Sequence, residues 1–210
     1  MTPSPQQFLA LALITESNQP HEWPAIGAVI LNRVERDSYP DDVISVLRQP
    51  MQFSAFNATR TLTTDEAYLQ VRQVHQLGAL GTPTSAFEAE ALAVAEELLD
   101  DGGRPLRQSL GLPGMAGAWI GPLDDGGRPL RRSRRPFGPA VLNYWSPRSM
   151  SPRGGLPSWQ WAGLRCFTLD GIDPWRFVFA ETVDRTHPLA GNARTFDFRA
   201  QHAAARKVNA

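Results

Sequence analysis

The stretch Ile14–Asn57, ITESNQPHEWPAIGAVILNRVERDSYPDDVISVLRQPMQFSAFN, decides how the rest of the chain is read. It holds a single carboxylate, Glu16, where a helix runs out, and then a turn at Asn18-Gln19-Pro20. Pro24 starts a second helix with Ile26, Val29, Ile30 and Val34 as a buried stripe and Asn32-Arg33 near its end. Tyr39-Pro40 breaks the chain. Asp41 and Asp42 suit the first turn of a short helix with Val43, Ile44 and Leu47 inside, and Pro50 ends it. Met51 to Asn57 reads as irregular or strand-like chain, with Gln52, Ser54 and Asn57 set amid Phe53 and Phe56.

Upstream, Ser4-Pro5-Gln6-Gln7 opens the first helix: Ser4 caps, Pro5 fits the first turn and Gln7 completes a capping box. Phe8, Leu11 and Ile14 follow at helical spacing, so one face is expected to pack inward. Glu16 then stands at the C-terminal end. There the helix dipole and partial burial both disfavour a negative charge and raise a carboxyl pKa, as a general acid at neutral pH requires. The plain alternative is an exposed Glu beside a turn. Asn32 is either a buried amide bonded to backbone or a group that orients Glu16 or holds a sugar amide. The Gln52–Asn57 strip either stacks on and bonds a saccharide or is a polar loop with two core aromatics.

Downstream, Thr63-Thr64-Asp65-Glu66 is a capping box for a helix through Tyr68, Val71, Val74 and Leu77, stopped at Gly78. Ser85-Ala86-Phe87-Glu88 is another, opening a helix through Leu92, Ala95 and Leu98. LDDGGRPLR occurs twice, at Leu99–Arg107 and Leu123–Arg131, and Asp-Asp-Gly-Gly is turn chemistry. The pair reads as an inserted hairpin or lid, or as a local duplication without function. Arg131 to Arg135 reads as a solvated loop or an anion-binding patch. Asn143-Tyr144-Trp145 and Pro157-Ser158-Trp159-Gln160-Trp161 gather rings and amides that suit a saccharide groove, or a loop pinned by its own Trp residues. Strands are expected at Phe177–Phe179, around Cys166 and at Thr195–Phe198, and a frayed helix over the Ala-rich tail.

The totals set bounds. The 210 residues suit one domain, 1–210, with an insertion at 100–137, and 42 % apolar content excludes a disordered chain. Net charge is zero, so nucleic acid and anionic membranes are not favoured partners. Cys166 stands alone, which excludes an intramolecular disulfide. His21, His75, His187 and His202 show no ligand spacing, so neither a metal nor a cofactor is expected. A Cys166–His187 thiol enzyme is a weaker reading, because a lone Cys is usually a small core residue. The N-terminus lacks the basic region of a signal peptide, and no stretch reads as a membrane span.

TESNQPHEWPAIGAVILNRV followed by YPDDVISVLRQPMQFSAFN resembles the catalytic domain of cell wall hydrolases of the spore-cortex-lytic-enzyme type. That domain runs Glu-Ala, a short Gly-rich turn, a helix ending Val-x-Leu-Asn-Arg, a Pro-led short helix and a Gln-Phe-Ser segment. Asn143-Tyr144-Trp145-Ser146-Pro147 and Pro157-Ser158-Trp159 are a fainter echo of a Tyr-rich motif and a Pro-x-Trp. The resemblance implies a mainly helical α+β, lysozyme-like domain with a small β element. It implies cleavage between N-acetylmuramic acid and N-acetylglucosamine, with Glu16 as catalytic acid. Asn32, Gln52, Phe53, Ser54, Asn57, Tyr144, Trp145 and Trp159 are the expected substrate contacts. Gln19 stands near the place where the family carries a second acid, which leaves a single-acid lytic transglycosylase as the expected chemistry and a muramidase as its neighbour, with Glu22, Asp37 or Asp41 as the missing partner. The competing reading is a phage-particle protein that binds peptidoglycan without cutting it. Without a leader, the chain is expected to act as a monomer on glycan strands after release or injection, as a phage lysin, virion enzyme or secreted effector.

Overall fold

The structure, a computed structural model, describes residues 2–77, 85–100, 102–105, 137, 139–192 and 195–208. The expected stop at Gly78, the second LDDGGRPLR copy, the Gly-rich stretch between the copies and the Arg131–Arg135 run lie outside the described residues. The fold is mainly helical α+β, with a small antiparallel sheet. The chain separates into two compact units, the described residues up to 105 and those from 137 onward.

The first unit is helical. Helix α1 (Pro5–Glu16) carries the complete capping box of Ser4 and Gln7. Its middle is buried on every side: Phe8, Leu9, Ala10, Leu11, Ala12 and Leu13 are all core. The expectation of one inward face is therefore too small. An unbroken apolar run leaves no polar face to solvate, so neighbours must cover it all round. Helices α2 (Trp23–Val34), α3 (Val43–Leu47) and α5 (Ala86–Leu98) do so. Full burial of each large α1 side chain contributes roughly 1.5–3 kcal/mol.

Two glycines permit close approach. A Cβ on Gly27 of α2 would meet Leu98 Cδ1 of α5 at 2.5 Å. Gly103, at φ +73°, lies so close to Pro5 that a Cβ would meet its Cγ at 2.4 Å. The turn that holds Gly103 is the first Asp-Asp-Gly-Gly copy. Asp100 Oδ1 accepts from Gly102 N (2.9 Å) and Arg104 N (2.8 Å), and Gln6 Nε2 donates to Asp100 O (2.6 Å), which ties this turn to the start of α1.

Helix α4 (Thr64–Val74) has the full Thr63/Glu66 capping box. In α5, Ser85 Oγ accepts from Glu88 N, and the buried Glu88 carboxylate pairs with Arg72 of α4 at 3.0 Å. Between α3 and α4 the segment that reads as irregular or strand-like chain is a 3₁₀ turn, Ser54–Thr59. A 3₁₀ turn repeats every three residues. Phe53, Phe56 and Thr59 therefore point inward and are buried, while Ser54 and Asn57 face out, with Gln52 also exposed just before the turn.

Among the described residues the second unit is a sheet with one α-helix. Strands β1 (Val141–Trp145), β2 (Leu164–Phe167) and β3 (Val178–Thr182) form an antiparallel sheet in the order β1-β3-β2. Trp145 pairs with Val178 and Phe167 with Phe179. Side chains alternate between the faces. One face carries Trp145, Cys166, Val178 and Ala180, packed with Phe198, Trp159, Trp161 and Trp175. The other carries the ring contacts of Tyr144, Phe167, Phe177 and Phe179.

The strand expected at Thr195–Phe198 is not formed. Phe196 N bonds back to Asn192 O (2.7 Å), and Asp197 Oδ1 accepts from Arg199 N and Ala200 N. Asp197 thus caps helix α6 (Phe198–Val208). A short acid capping the amides two and three residues on outweighs the alternation of Thr-Phe-Asp-Phe.

Candidate active site

The site builds outward from the end of α1. Glu16 is the last residue of that helix and is half-buried. The next residue leaves the helix: Ser17 has extended backbone (φ −149°, ψ 139°), while its N–H still closes the last turn onto Leu13 O at 3.0 Å. Helix ends ordinarily fray, but this one is held. Ser17 Oγ donates to Glu22 Oε2 and accepts from Gln19 N (2.9 Å). Ser17 O accepts from the indole Nε1 of Trp23 at 2.9 Å.

Glu22 ends a 3₁₀ turn, Pro20–Glu22, and stands at the N-cap of α2. It is only 1 % exposed, in contrast to Asp37 and Asp41, which are exposed. Trp23 is fully buried and meets the Phe87 ring edge-on at 4.8 Å. Ser17 and Trp23 are absent from the sequence-predicted site, and Glu22 enters it only as one of three candidates, with Asp37 and Asp41, for a second acid. The only sequence signal was a Ser and a Glu bracketing a short Pro-containing turn.

At the far end of α2, Asn32 (1 % exposed) and Arg33 (3 %) are buried. The Arg33 guanidinium lies over the rings of Phe53 (5.2 Å) and Tyr39 (5.6 Å). Phe53 is itself buried to 1 % exposure. Of the predicted contacts in this unit, Gln52, Ser54 and Asn57 are at the surface, and Asn32 and Phe53 lie beneath it. The strip is braced from two sides. Asn57 Oδ1 accepts from Met51 N (3.0 Å), and Arg48 Nη2 donates to Thr59 O (2.7 Å), Leu62 O (2.5 Å) and Arg60 O (3.3 Å). Phe56 packs against Phe8, with ring centroids 6.2 Å apart. Phe8 precedes Glu16 by eight residues, about 12 Å of helix rise. The strip is therefore anchored roughly two turns of α1 away from the acid.

In the second unit, Trp145 is buried and meets Trp159 (5.9 Å) and Trp161 (5.5 Å) in near-perpendicular contacts. Trp159 and Trp161 are half-buried. The structure brings Trp145 and Trp159 together and puts Tyr144 on the opposite face of the sheet, as adjacent strand residues must lie.

Cys166 is buried. Asn192 clasps its backbone, accepting from its N–H (2.5 Å) and donating to its carbonyl (3.1 Å). Burial pushes the thiol up to about 12, the reverse of what a nucleophilic thiolate needs. His187 Nδ1 accepts from Leu189 N within its own turn. Among the described residues no three His, Cys, Asp or Glu side chains converge as a metal site, and no helix is long and apolar enough to cross a membrane.

The helical unit thus ends α1 on a half-buried acid and carries an exposed amide and hydroxyl strip. The family described as Cell Wall Hydrolase matches residues 18–102 of the chain. The match supports a cell wall hydrolase domain there and, in general, peptidoglycan as the substrate. It takes in α2, the Gln52–Asn57 strip and α5, and begins two residues after Glu16. No curated protein and no solved structure matches the chain.

Proposed function

We propose that the chain is a lysozyme-like glycosidase that cuts peptidoglycan between N-acetylmuramic acid and N-acetylglucosamine, with Glu16 as its general acid and base. One observation carries this reading. Glu16 is half-buried at the rigidly held end of a buried helix, directly before the segment that matches the cell wall hydrolases.

Glu16 donates its proton to the glycosidic oxygen as that C–O bond breaks and positive charge develops on the ring. An ordinary glycosidase then needs a second carboxylate, roughly 5–5.5 Å away to retain configuration or 6.5–9.5 Å to invert. Glu22, the nearest acid in sequence, is shut away from solvent and engaged with Ser17. The reading therefore assigns both proton transfers to Glu16. As carboxylate it takes the proton of the sugar's own 6-hydroxyl, whose oxygen bonds to the anomeric carbon and closes a 1,6-anhydro ring. The proton lost in the first step is regained in the second, and no water is consumed.

Gln52, Ser54 and Asn57 bind glycan some distance from the reacting bond, and Asn32 and Phe53, buried in the same unit, support the site from beneath the surface. Tyr144, Trp145 and Trp159 are the ring contacts assigned to the second unit, Trp159 offering the more accessible ring. Such an enzyme works on the wall after release or injection, as a phage lysin, virion enzyme or secreted effector, and acts as a monomer.

The test is mass spectrometry of digested peptidoglycan together with Glu16→Gln. Anhydro ends are expected, and the variant should lose about 10²–10⁴-fold in rate while its circular dichroism is unchanged. Reducing ends would replace transglycosylation with hydrolysis. Full lysis by Glu16→Gln would end the proposal, and binding without lysis by the wild type would make the protein a wall-binding one.

A further inference from the structure

We infer that Glu22 is a positioning residue that aims Glu16 by holding Ser17. The inference rests on the reading of Glu16 as the acid. A carboxyl group buried to 1 % exposure is costly unless hydrogen-bonded, so its presence in a core calls for a physical reason. Here the Ser17 hydroxyl donates to it.

The frame around Glu22 is stiff. Pro20 opens the 3₁₀ turn that ends in Glu22, and Pro24 lies in the first turn of α2, so the backbone is restricted on both sides. Trp23, wedged against Phe87, is buried and cannot swing. Ser17, by contrast, sits at a joint where helical backbone becomes extended.

Without a partner this joint would let the last turn of α1 loosen and Glu16 with it. The Glu22 and Trp23 bonds, one to the hydroxyl and one to the carbonyl of Ser17, fasten the joint to the start of α2. The first bond acts through the side chain and the second through the backbone, so together they hold Ser17, the residue that follows Glu16, at both its hydroxyl and its carbonyl. Its burial keeps Glu22 off the substrate, so it acts through Ser17 and not on the sugar.

The measurements are kinetics on purified peptidoglycan, thermal melting, and the indole N–H resonance of Trp23, assigned by its loss in Trp23→Phe. For a folded Glu22→Ala, kcat should fall about 10²-fold, the usual effect of a misplacement near 1 Å, with KM little changed. The Trp23 resonance should move upfield and exchange faster with solvent as its bond to Ser17 weakens. Glu22→Gln keeps an acceptor for the Ser17 hydroxyl and should restore both the resonance and most of kcat. A purely structural role would lower the melting temperature and leave kcat per folded molecule intact, and that result overturns the inference. So does a Glu22→Gln that restores the resonance but not kcat.

If Glu22→Ala does not fold, Ser17→Ala removes the donor and keeps the carboxyl. It should lose kcat in the same way, and wild-type kcat in that variant would overturn the inference. Glu16→Gln separates the two failures. An active Glu16→Gln sinks the acid itself, whereas an inactive Glu16→Gln beside a fully active Glu22→Ala sinks only the clamp.

Discussion

Arg48→Ala tests how the Gln52–Asn57 strip is held. Arg48 is half-buried at the C-cap of α3, and its Nη2 reaches the carbonyls of Thr59, Arg60 and Leu62. One Nη2 carries two hydrogens, so the bonds to Thr59 (2.7 Å) and Leu62 (2.5 Å) are full and the 3.3 Å contact is shared. Hydrogen bonds to a charged group contribute about 1.5–3 kcal/mol each. The lower figure applies at a half-exposed site, and water re-bonds part of what is freed, which leaves a loss of about 2 kcal/mol. At about 2–4 °C per kcal/mol for a chain of this length, the melting temperature should fall by about 4–8 °C. Amide exchange should speed up over residues 54–62 and little elsewhere. Arg48→Lys should recover at most one of the two bonds, because its ammonium ends one bond nearer the backbone than Nη2 and does not reach both carbonyls. In peptidoglycan digestion KM should rise with kcat nearly unchanged, since the strip is anchored two helical turns from Glu16 and contributes uniform binding. A melting temperature within about 1 °C of wild type would refute the bracing. A fall in kcat at constant KM would refute the separation of strip from acid.

Two further predictions concern the scaffold. The Arg72–Glu88 pair is buried at both ends, so Arg72→Met or Glu88→Gln alone should cost about 3–5 kcal/mol, and the double variant Arg72→Met with Glu88→Leu far less. A double-variant cycle in urea reads the coupling, and additive losses would contradict a desolvated pair. Cys166 has its pKa raised by burial to about 12 against an ordinary 9.0. Both folded and unfolded chains therefore keep the thiol below pH 9, and only the unfolded chain ionises between the two values. Stability should be unaffected by this group at neutral pH and decline as pH rises through that window, more in wild type than in Cys166→Ala. Equal declines, or rapid labelling of the folded thiol at pH 8, would show the group to be accessible.

What the sequence by itself determined is what depends on neighbours three or four residues away. The Ser4/Gln7 and Thr63/Glu66 boxes, the Asp-Gly-Gly turn after α5, the breaks at Pro40 and Pro50 and the strands around Cys166 and Phe179 follow from hydrogen bonds and steric limits along the chain. The order of Glu16, Asn32-Arg33 and the Gln-Phe-Ser segment is legible for a different reason, its resemblance to the cell wall hydrolases. Tertiary structure alone decided whatever depends on packing. It buried α1 all round, turned Phe53, Phe56 and Thr59 inward on a three-residue repeat where the sequence reads as irregular or strand-like chain, and sank Asn32 below the surface. It let Asp197 cap a helix where Thr-Phe-Asp-Phe reads as a strand, and it closed Ser17 onto Glu22 and Trp23. A pattern of polar and apolar residues records that a side chain must be satisfied, but only the packed neighbours determine which group satisfies it.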